Sequence, residues 1–160
     1  MNSLRLDARS GWPIPNEVCA EKADVALRAG RAMWEGMYPR LRFRSISNTY
    51  NCVGLVVASR RAWVDPEHLL QVLREDGYRK LADVVETESG DIVIYQADND
   101  DEPAHVAVVV RKQPIVPGVS EDNLIVLSKW GAFGEYEHES LHVPKVYGRP
   151  AQFWTHRRDP

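Results

Sequence analysis

The sequence predicts an α+β fold, with helices in its first half and an antiparallel sheet in its second. Two observations carry that prediction. Up to about residue 77, apolar residues recur at helical spacing between recognisable start and stop signals; from Tyr78 onward, short Val- and Ile-rich runs alternate with turn-forming stretches. No internal repeat or low-complexity stretch breaks the pattern, and 160 residues suffice for one domain with its own core.

Residues 1–16 set Pro13 and Pro15 around Trp12 and Ile14, which predicts an extended arm laid over a single domain of residues 17–160. Residues 17–37 are helix-prone, with Ala26, Ala29, Met33 and Met37 tracing the expected buried stripe, and Pro39 ends the segment. The polar lead-in Ser45-Ile46-Ser47-Asn48-Thr49-Tyr50-Asn51 precedes a second helix that begins near Cys52. This helix is apolar almost all round as far as Arg60 and Arg61, so it is expected at the centre of the molecule. A third helix has Asp65 as N-cap, Pro66 in its first turn, Leu69, Leu70, Val72 and Leu73 as its apolar face, and Gly77 as its stop. Strands are expected over Ile92–Tyr95, His105–Arg111 and Leu124–Trp130, with a last one over Ala151–His156 closing the sheet. The first two are joined by the acidic stretch Ala97–Pro103 and the next two by one holding Pro114, Pro117 and Gly118. Gly131, Gly134 and Gly148 bracket a segment that reads as irregular loop.

The bulk numbers exclude several functions. A net charge of −3 offers no basic surplus to neutralise phosphates, so nucleic acid is not an expected partner. Nothing approaches the roughly 18 consecutive apolar residues of a spanning helix, so no membrane association is expected. The opening Met1-Asn2-Ser3-Leu4-Arg5-Leu6-Asp7 has no apolar signal segment. Two cysteines, Cys19 and Cys52, are too few for a disulfide scaffold, although pairing between them stays open. The expected location is the cytoplasm, or outside the cell by an export route without a cleaved signal.

The chemistry concentrates on two residues. Cys52 opens the compact apolar run Asn51-Cys52-Val53-Gly54-Leu55-Val56-Val57-Ala58, and His105 opens the strand His105-Val106-Ala107-Val108-Val109-Val110. A thiol attacks carbonyl carbon well only as thiolate, and a neighbouring imidazole can take its proton.

In that order and context the chain resembles the papain-like cysteine hydrolases, and more closely the compact NlpC-type and CHAP-type cysteine amidases. In those families a nucleophile between a polar and a small residue starts a helix, as in Asn51-Cys52-Val53-Gly54. Their base opens the strand after a Gly-Asp-hydrophobic strand, as Gly90-Asp91-Ile92-Val93 and then His105-Val106-Ala107-Val108 do. The likeness covers roughly residues 45–131. It implies a central Cys-bearing helix packed on the sheet, Cys52 as nucleophile and His105 as base. It also implies an oxyanion site from the Cys52 backbone N–H with Asn51 or Tyr50, and no cofactor. A His, Asn or Gln on the next strand orients the imidazole in those families. Here that strand reads Leu124-Ile125-Val126-Leu127-Ser128-Lys129-Trp130-Gly131, so Ser128 is the nearest orienting candidate and Lys129 a substrate-binding one. Trp130 and Tyr136 are expected in the core or the cleft wall, with Trp130 also a candidate for lining the substrate groove. The expected substrate is a peptide-like or other amide. The alternative is an inactive papain-like domain whose cleft binds a peptide or a protein partner.

His138-Glu139-Ser140-Leu141-His142 also matches the H-E-x-x-H pattern of zinc peptidases, which needs a helix to bring both imidazoles to one face. Pro144 and the surrounding glycines argue against a helix there, so no metal site is expected. The acidic Asp98-Asn99-Asp100-Asp101-Glu102 lacks the spacing of a calcium loop and reads as a solvated hairpin turn.

Overall fold

The computed structural model describes residues 2–113 and 123–159; the stretch holding Pro114, Pro117 and Gly118 lies outside the described residues. Among the described residues, three α-helices, α1 (Asp24–Met37), α2 (Cys52–Val57) and α3 (Leu69–Glu75), accompany seven strands. The strands are β1 (Arg42–Ile46), β2 (Arg79–Lys80), β3 (Ile92–Gln96), β4 (His105–Lys112), β5 (Leu124–Lys129), β6 (Gly134–Glu139) and β7 (Arg149–Thr155). All pair antiparallel in one sheet of order β1-β6-β5-β4-β3-β7-β2. The molecule is therefore α+β, as the sequence predicts, with the short acidic turn of 97–104 joining β3 to β4.

Because side chains alternate along a strand, this sheet has two distinct buried faces. On the first, Ile92, Ile94, Val106 and Val108 pack with Cys52 and Val53 of α2 and with Leu69, Val72 and Leu73 of α3. On the second, Val93, Tyr95, Ala107, Val109, Leu124 and Val126 pack with Val84, Val143 and Phe153. The indole of Trp34, from α1, meets the edge of Trp130 with centroids 5.2 Å apart. Trp130 in turn contacts Tyr136 and His138, whose strand partners are Ser128 and Val126. Helix α1 thus covers the second face, and α2 and α3 the first.

The stripe expected on α1 is not the one it buries. Leu27 and Gly30 are buried, while Met33 and Met37 are exposed. A Cβ on Gly30 would lie 2.1 Å from the Phe133 ring, so it is the missing side chain at this position that lets the helix approach. The helix also starts seven residues later than the helix-prone segment, at Asp24. A second correction concerns the segment read as irregular loop. Gly134–Glu139 is β6, with β5 and β1 on its two sides. Its Tyr136 and His138 face inward against aromatic rings, and Glu135, Glu137 and Glu139 face the other way, each held by arginine. The last strand begins at Arg149 and sits between β3 and β2, so it is an interior strand and not the closing edge.

α2 is short for a reason visible in its backbone. Ser59 and Arg60 take positive φ of 51° and 62°, which turns the chain back over the helix it has just left. The carbonyl of Ala62 then passes so close to Gly54 that a Cβ there would be 1.9 Å away. Asn51 caps the start, its Oδ1 accepting from Gly54 N–H at 2.9 Å. The N-terminal arm lies on the same side, with Leu4, Leu6, Ala8, Trp12 and Ile14 packed on the first core cluster. Glu17 forms an antiparallel bridge with Trp63.

Candidate active site

At the end of the sheet where β4 begins and β5 stops, a cleft of about 470 Å³ opens. Cys52, His105, Lys129, Gly131 and Tyr147 border it, and Pro15 and Asn16 of the arm, with Glu17 after them, close one side. The structure thus brings Cys52, His105, Lys129 and Asn51 of the sequence-derived candidates to one cleft, but it does not bring them together as one hydrogen-bonded set.

Cys52 is 8% exposed and begins α2 on the first face of the sheet. Burial pushes its thiol up to about 11. The backbone N–H groups of Val106, Val53 and Cys52 itself, and the charge of Lys129, favour the thiolate without overcoming that burial. A helix of six residues adds little dipole of its own. Cys19, half-buried, and Cys52 are both free thiols.

His105 pairs in register with Tyr95, whose side chain belongs to the second face. Its imidazole lies flat on the Tyr147 ring, with centroids 4.0 Å apart and planes 4° from parallel, and its edge meets Tyr95. Burial, with the neighbouring His138, pushes it well below the ordinary histidine value, so it is neutral. Its Nε2 is buried and has no hydrogen-bond partner. Thiol and imidazole therefore approach the cleft from opposite faces of the sheet.

Ser128, the expected orienting residue, serves a different histidine. The Nδ1 of His138 lies 2.8 Å from the Glu139 carbonyl, which can only accept, so Nδ1 carries the proton and Nε2 accepts. The Ser128 hydroxyl donates to that Nε2 at 2.7 Å and itself accepts from the Trp130 indole N–H at 3.0 Å. Burial, above all, pushes His138 down to about 4. This chain is satisfied within itself, and it supports the second face beneath His105. Trp130, the expected groove residue, is fully buried in that aromatic layer and does not border the cleft.

The two expected oxyanion donors are engaged as well. Asn51 Nδ2 donates to the Val64 carbonyl at 2.7 Å, and its Oδ1 accepts from Val64 N–H at 3.1 Å besides capping α2. The Tyr50 hydroxyl donates to Glu135 Oε1 at 2.7 Å, and burial pushes it up to about 12. Glu135 also holds Arg60 through two bonds, of 2.7 and 3.1 Å.

Lys129, the expected substrate-binding candidate, does border the cleft. It is fully buried on the first face, opposite in direction to Ser128, and its ammonium sits 4.9 Å from the centre of the Tyr50 ring. Nζ donates to the Gly131 carbonyl at 2.8 Å. Burial pushes Lys129 down to about 8, against the pull of Cys52, Glu135 and Glu21.

The H-E-x-x-H segment forms no helical face. His138 and Glu139 are neighbours in a strand and point to opposite sides, Glu139 toward Arg40 and Asn123 at 3.0 Å each. His142 lies beyond the strand, with Nδ1 3.3 Å from Arg40 and its ring against Tyr38. Among the described residues, no three His, Cys, Asp or Glu side chains converge on a point that could hold a metal, and no helix is long and apolar enough to cross a membrane. Sequence reasoning missed Tyr147 and the arm residues at the cleft, since neither carries a local signal for being there. His138 was visible only as part of a zinc pattern.

Residues 43–155, well over half of the chain, match the family described as a domain of unknown function, DUF7689. The chain belongs to the DUF7689 family. The match runs from within β1 to the end of β7, so it takes in α2 and every strand that borders the cleft, while the arm and α1 precede it. No curated protein and no solved structure matches the chain.

Proposed function

We propose that this DUF7689 protein is a small papain-like cysteine hydrolase that cleaves an amide bond in a peptide-like substrate, with Cys52 as nucleophile. The observation that carries this reading is that the Cys52 thiol and two basic side chains, His105 and Lys129, border a single cleft at one end of the sheet. Several further features support it. The Cys-bearing helix packs on β4 and β5, in the order that papain-like hydrolases share. A buried imidazole nitrogen without a partner is costly, and native proteins keep such atoms chiefly where a ligand or a proton will use them. The surface that lines the cleft is mostly apolar, and polar groups converge on it from several elements, the usual character of a small-ligand site.

The test is cleavage of a defined mixture of unmodified peptides, read by mass spectrometry for new termini, with native protein and Cys52→Ala. The reading expects new termini from the native protein alone. Equal cleavage by both would refute Cys52 as nucleophile.

A second reading has its own observation. Burial holds the Cys52 thiol at about 11, and no side chain bonds His105 Nε2 to orient it. These are features expected of a papain-like fold that binds a peptide or protein without cutting it. Peptides that remain intact, yet protect Cys52 from alkylation, would favour this second reading.

A further inference from the structure

We infer that Lys129, and not His105, is the catalytic residue that exchanges a proton with the Cys52 thiol. This inference rests on the hydrolase reading and assigns its base. Strand alternation carries it. Val106 shares the first core cluster with Cys52, so His105, the preceding residue, is turned to the second face, where it is clamped between Tyr95 and Tyr147. Lys129 pairs in register with Glu135 and shares with it the face that α2 covers. The side chain on Cys52's own side of the sheet is therefore the lysine.

The surroundings of Nζ say why a lysine is kept there. A buried ammonium is costly unless paired. Among the described residues, Lys129 makes no ion pair with a carboxylate. Glu135 on β6 is held by Arg60 and Tyr50, and Glu21, before α1, is bonded to Ser47. One of its three donors goes to Gly131 and one side lies on the Tyr50 ring. The remaining ionisable group facing it from α2 is Cys52, and Tyr147 from beyond β6 borders the same space. Burial accordingly brings Lys129 down to about 8, into the range where a neutral amine is available.

The proton then follows a closed cycle. As Sγ bonds to the carbonyl carbon, the thiol proton passes to Nζ and the carbonyl π pair moves to oxygen. On collapse the C–N bond breaks, and the leaving amine takes the proton from Nζ, leaving a thioester. Water attacks that thioester and gives a proton to Nζ. The C–S bond breaks, and Sγ recovers the proton. One amide and one water become one carboxylic acid and one amine, and the neutral thiol–amine pair is restored.

The experiment is the alkylation rate of Cys52 by iodoacetamide between pH 6 and 10 on the full chain. Mass spectrometry reads the product, with Cys19 as internal control for the reagent. The native rate should rise through a midpoint near 8, the value burial sets on Lys129. In Lys129→Met that midpoint should disappear and the rate at pH 8 should fall by about 100-fold, the scale of a lost general base. In His105→Gln the midpoint should stay near 8. A lysine that only gripped an anionic part of a substrate would leave attack on this small neutral reagent unchanged. A midpoint kept in Lys129→Met, or lost in His105→Gln, overturns the inference while the hydrolase reading stands with another base. A native Cys52 that shows no midpoint and reacts no faster than Cys19 overturns both. If Lys129→Met does not fold, Lys129→Arg gives the same comparison, since a guanidinium keeps the charge but does not become neutral between pH 6 and 10: the midpoint near 8 should be lost there too, and its persistence overturns the inference.

Discussion

Replacing Asn51 by alanine should destabilise the protein by about 4 kcal/mol, and the structure supplies each part of that figure. Asn51 is 8% exposed and spends both ends of its amide on backbone. Its Oδ1 caps α2 at Gly54 N–H (2.9 Å), and such a cap is worth about 1 kcal/mol. The same oxygen accepts from Val64 N–H (3.1 Å), and Nδ2 donates to the Val64 carbonyl (2.7 Å). Val64 is fully buried, so water cannot replace either bond, and each group left unpaired costs roughly 1–3 kcal/mol. For a chain of this size a loss of about 4 kcal/mol lowers the melting temperature by about 10 °C. Urea unfolding followed by circular dichroism at pH 7 measures the stability directly. Asn51→Asp, which keeps the cap acceptor but not the donor, should fall between the two. A residue that served chiefly as an oxyanion donor would behave otherwise: alanine would leave stability within about 0.5 kcal/mol, as substitutions away from structural features do, and that result would refute the structural role assigned to Asn51.

Three other outcomes follow from the same geometry. Gly54→Ala should cost at least about 3 kcal/mol in urea unfolding, because the new Cβ meets the backbone of Ala62 at 1.9 Å and not a side chain that can swing away; a loss below 1 kcal/mol would contradict that packing. Acid should destabilise the fold through its buried histidines. The unfolded chain takes up protons near 6.5 while folded His138 resists until about 4, so stability is complete above 6.5, declines as pH falls, and levels off below about 4. His138 alone accounts for roughly 3 kcal/mol of that decline, and His138→Gln should flatten the urea midpoint between pH 7 and 5 relative to the native protein; parallel slopes would contradict this. Arg60→Met removes the two bonds that hold Glu135, so the carboxylate acts more fully on Lys129, and the midpoint of Cys52 alkylation should move above 8; a downward move would show that Glu135 does not govern the lysine.

Local chemistry was the legible part of this sequence. Asp65, with Pro66 behind it, caps its turn through Glu67 N–H at 2.9 Å as its residue type demands. The Val- and Ile-rich runs fall into register at Ile92 to Tyr95 and His105 to Val108. Strand β6 was hidden because its glutamates look solvent-bound; only the arginines from β1, α2's turn and β4 make a buried glutamate row tolerable. The α1 stripe misled for a related reason, since Gly30 is chosen by the Phe133 ring, which sequence spacing cannot reveal. The site was legible as a set of residues and illegible as a geometry. Both faces of β4 are apolar, so nothing in His105-Val106-Ala107-Val108 announces which side meets α2. The same ambiguity hid that Ser128 and Lys129, one residue apart, lie on opposite faces, Ser128 against His138 and Lys129 against Tyr50.

The most direct test of Cys52 as a nucleophile is a rapid-quench measurement with p-nitrophenyl acetate, mapping the acetyl group by mass spectrometry as a function of time. The account predicts one acetyl group on Cys52 that forms in a burst and then decays as water regenerates the thiol, with no such species in Cys52→Ala. Acetylation that scatters over surface lysines, or that reaches Cys52 and stays, would contradict it.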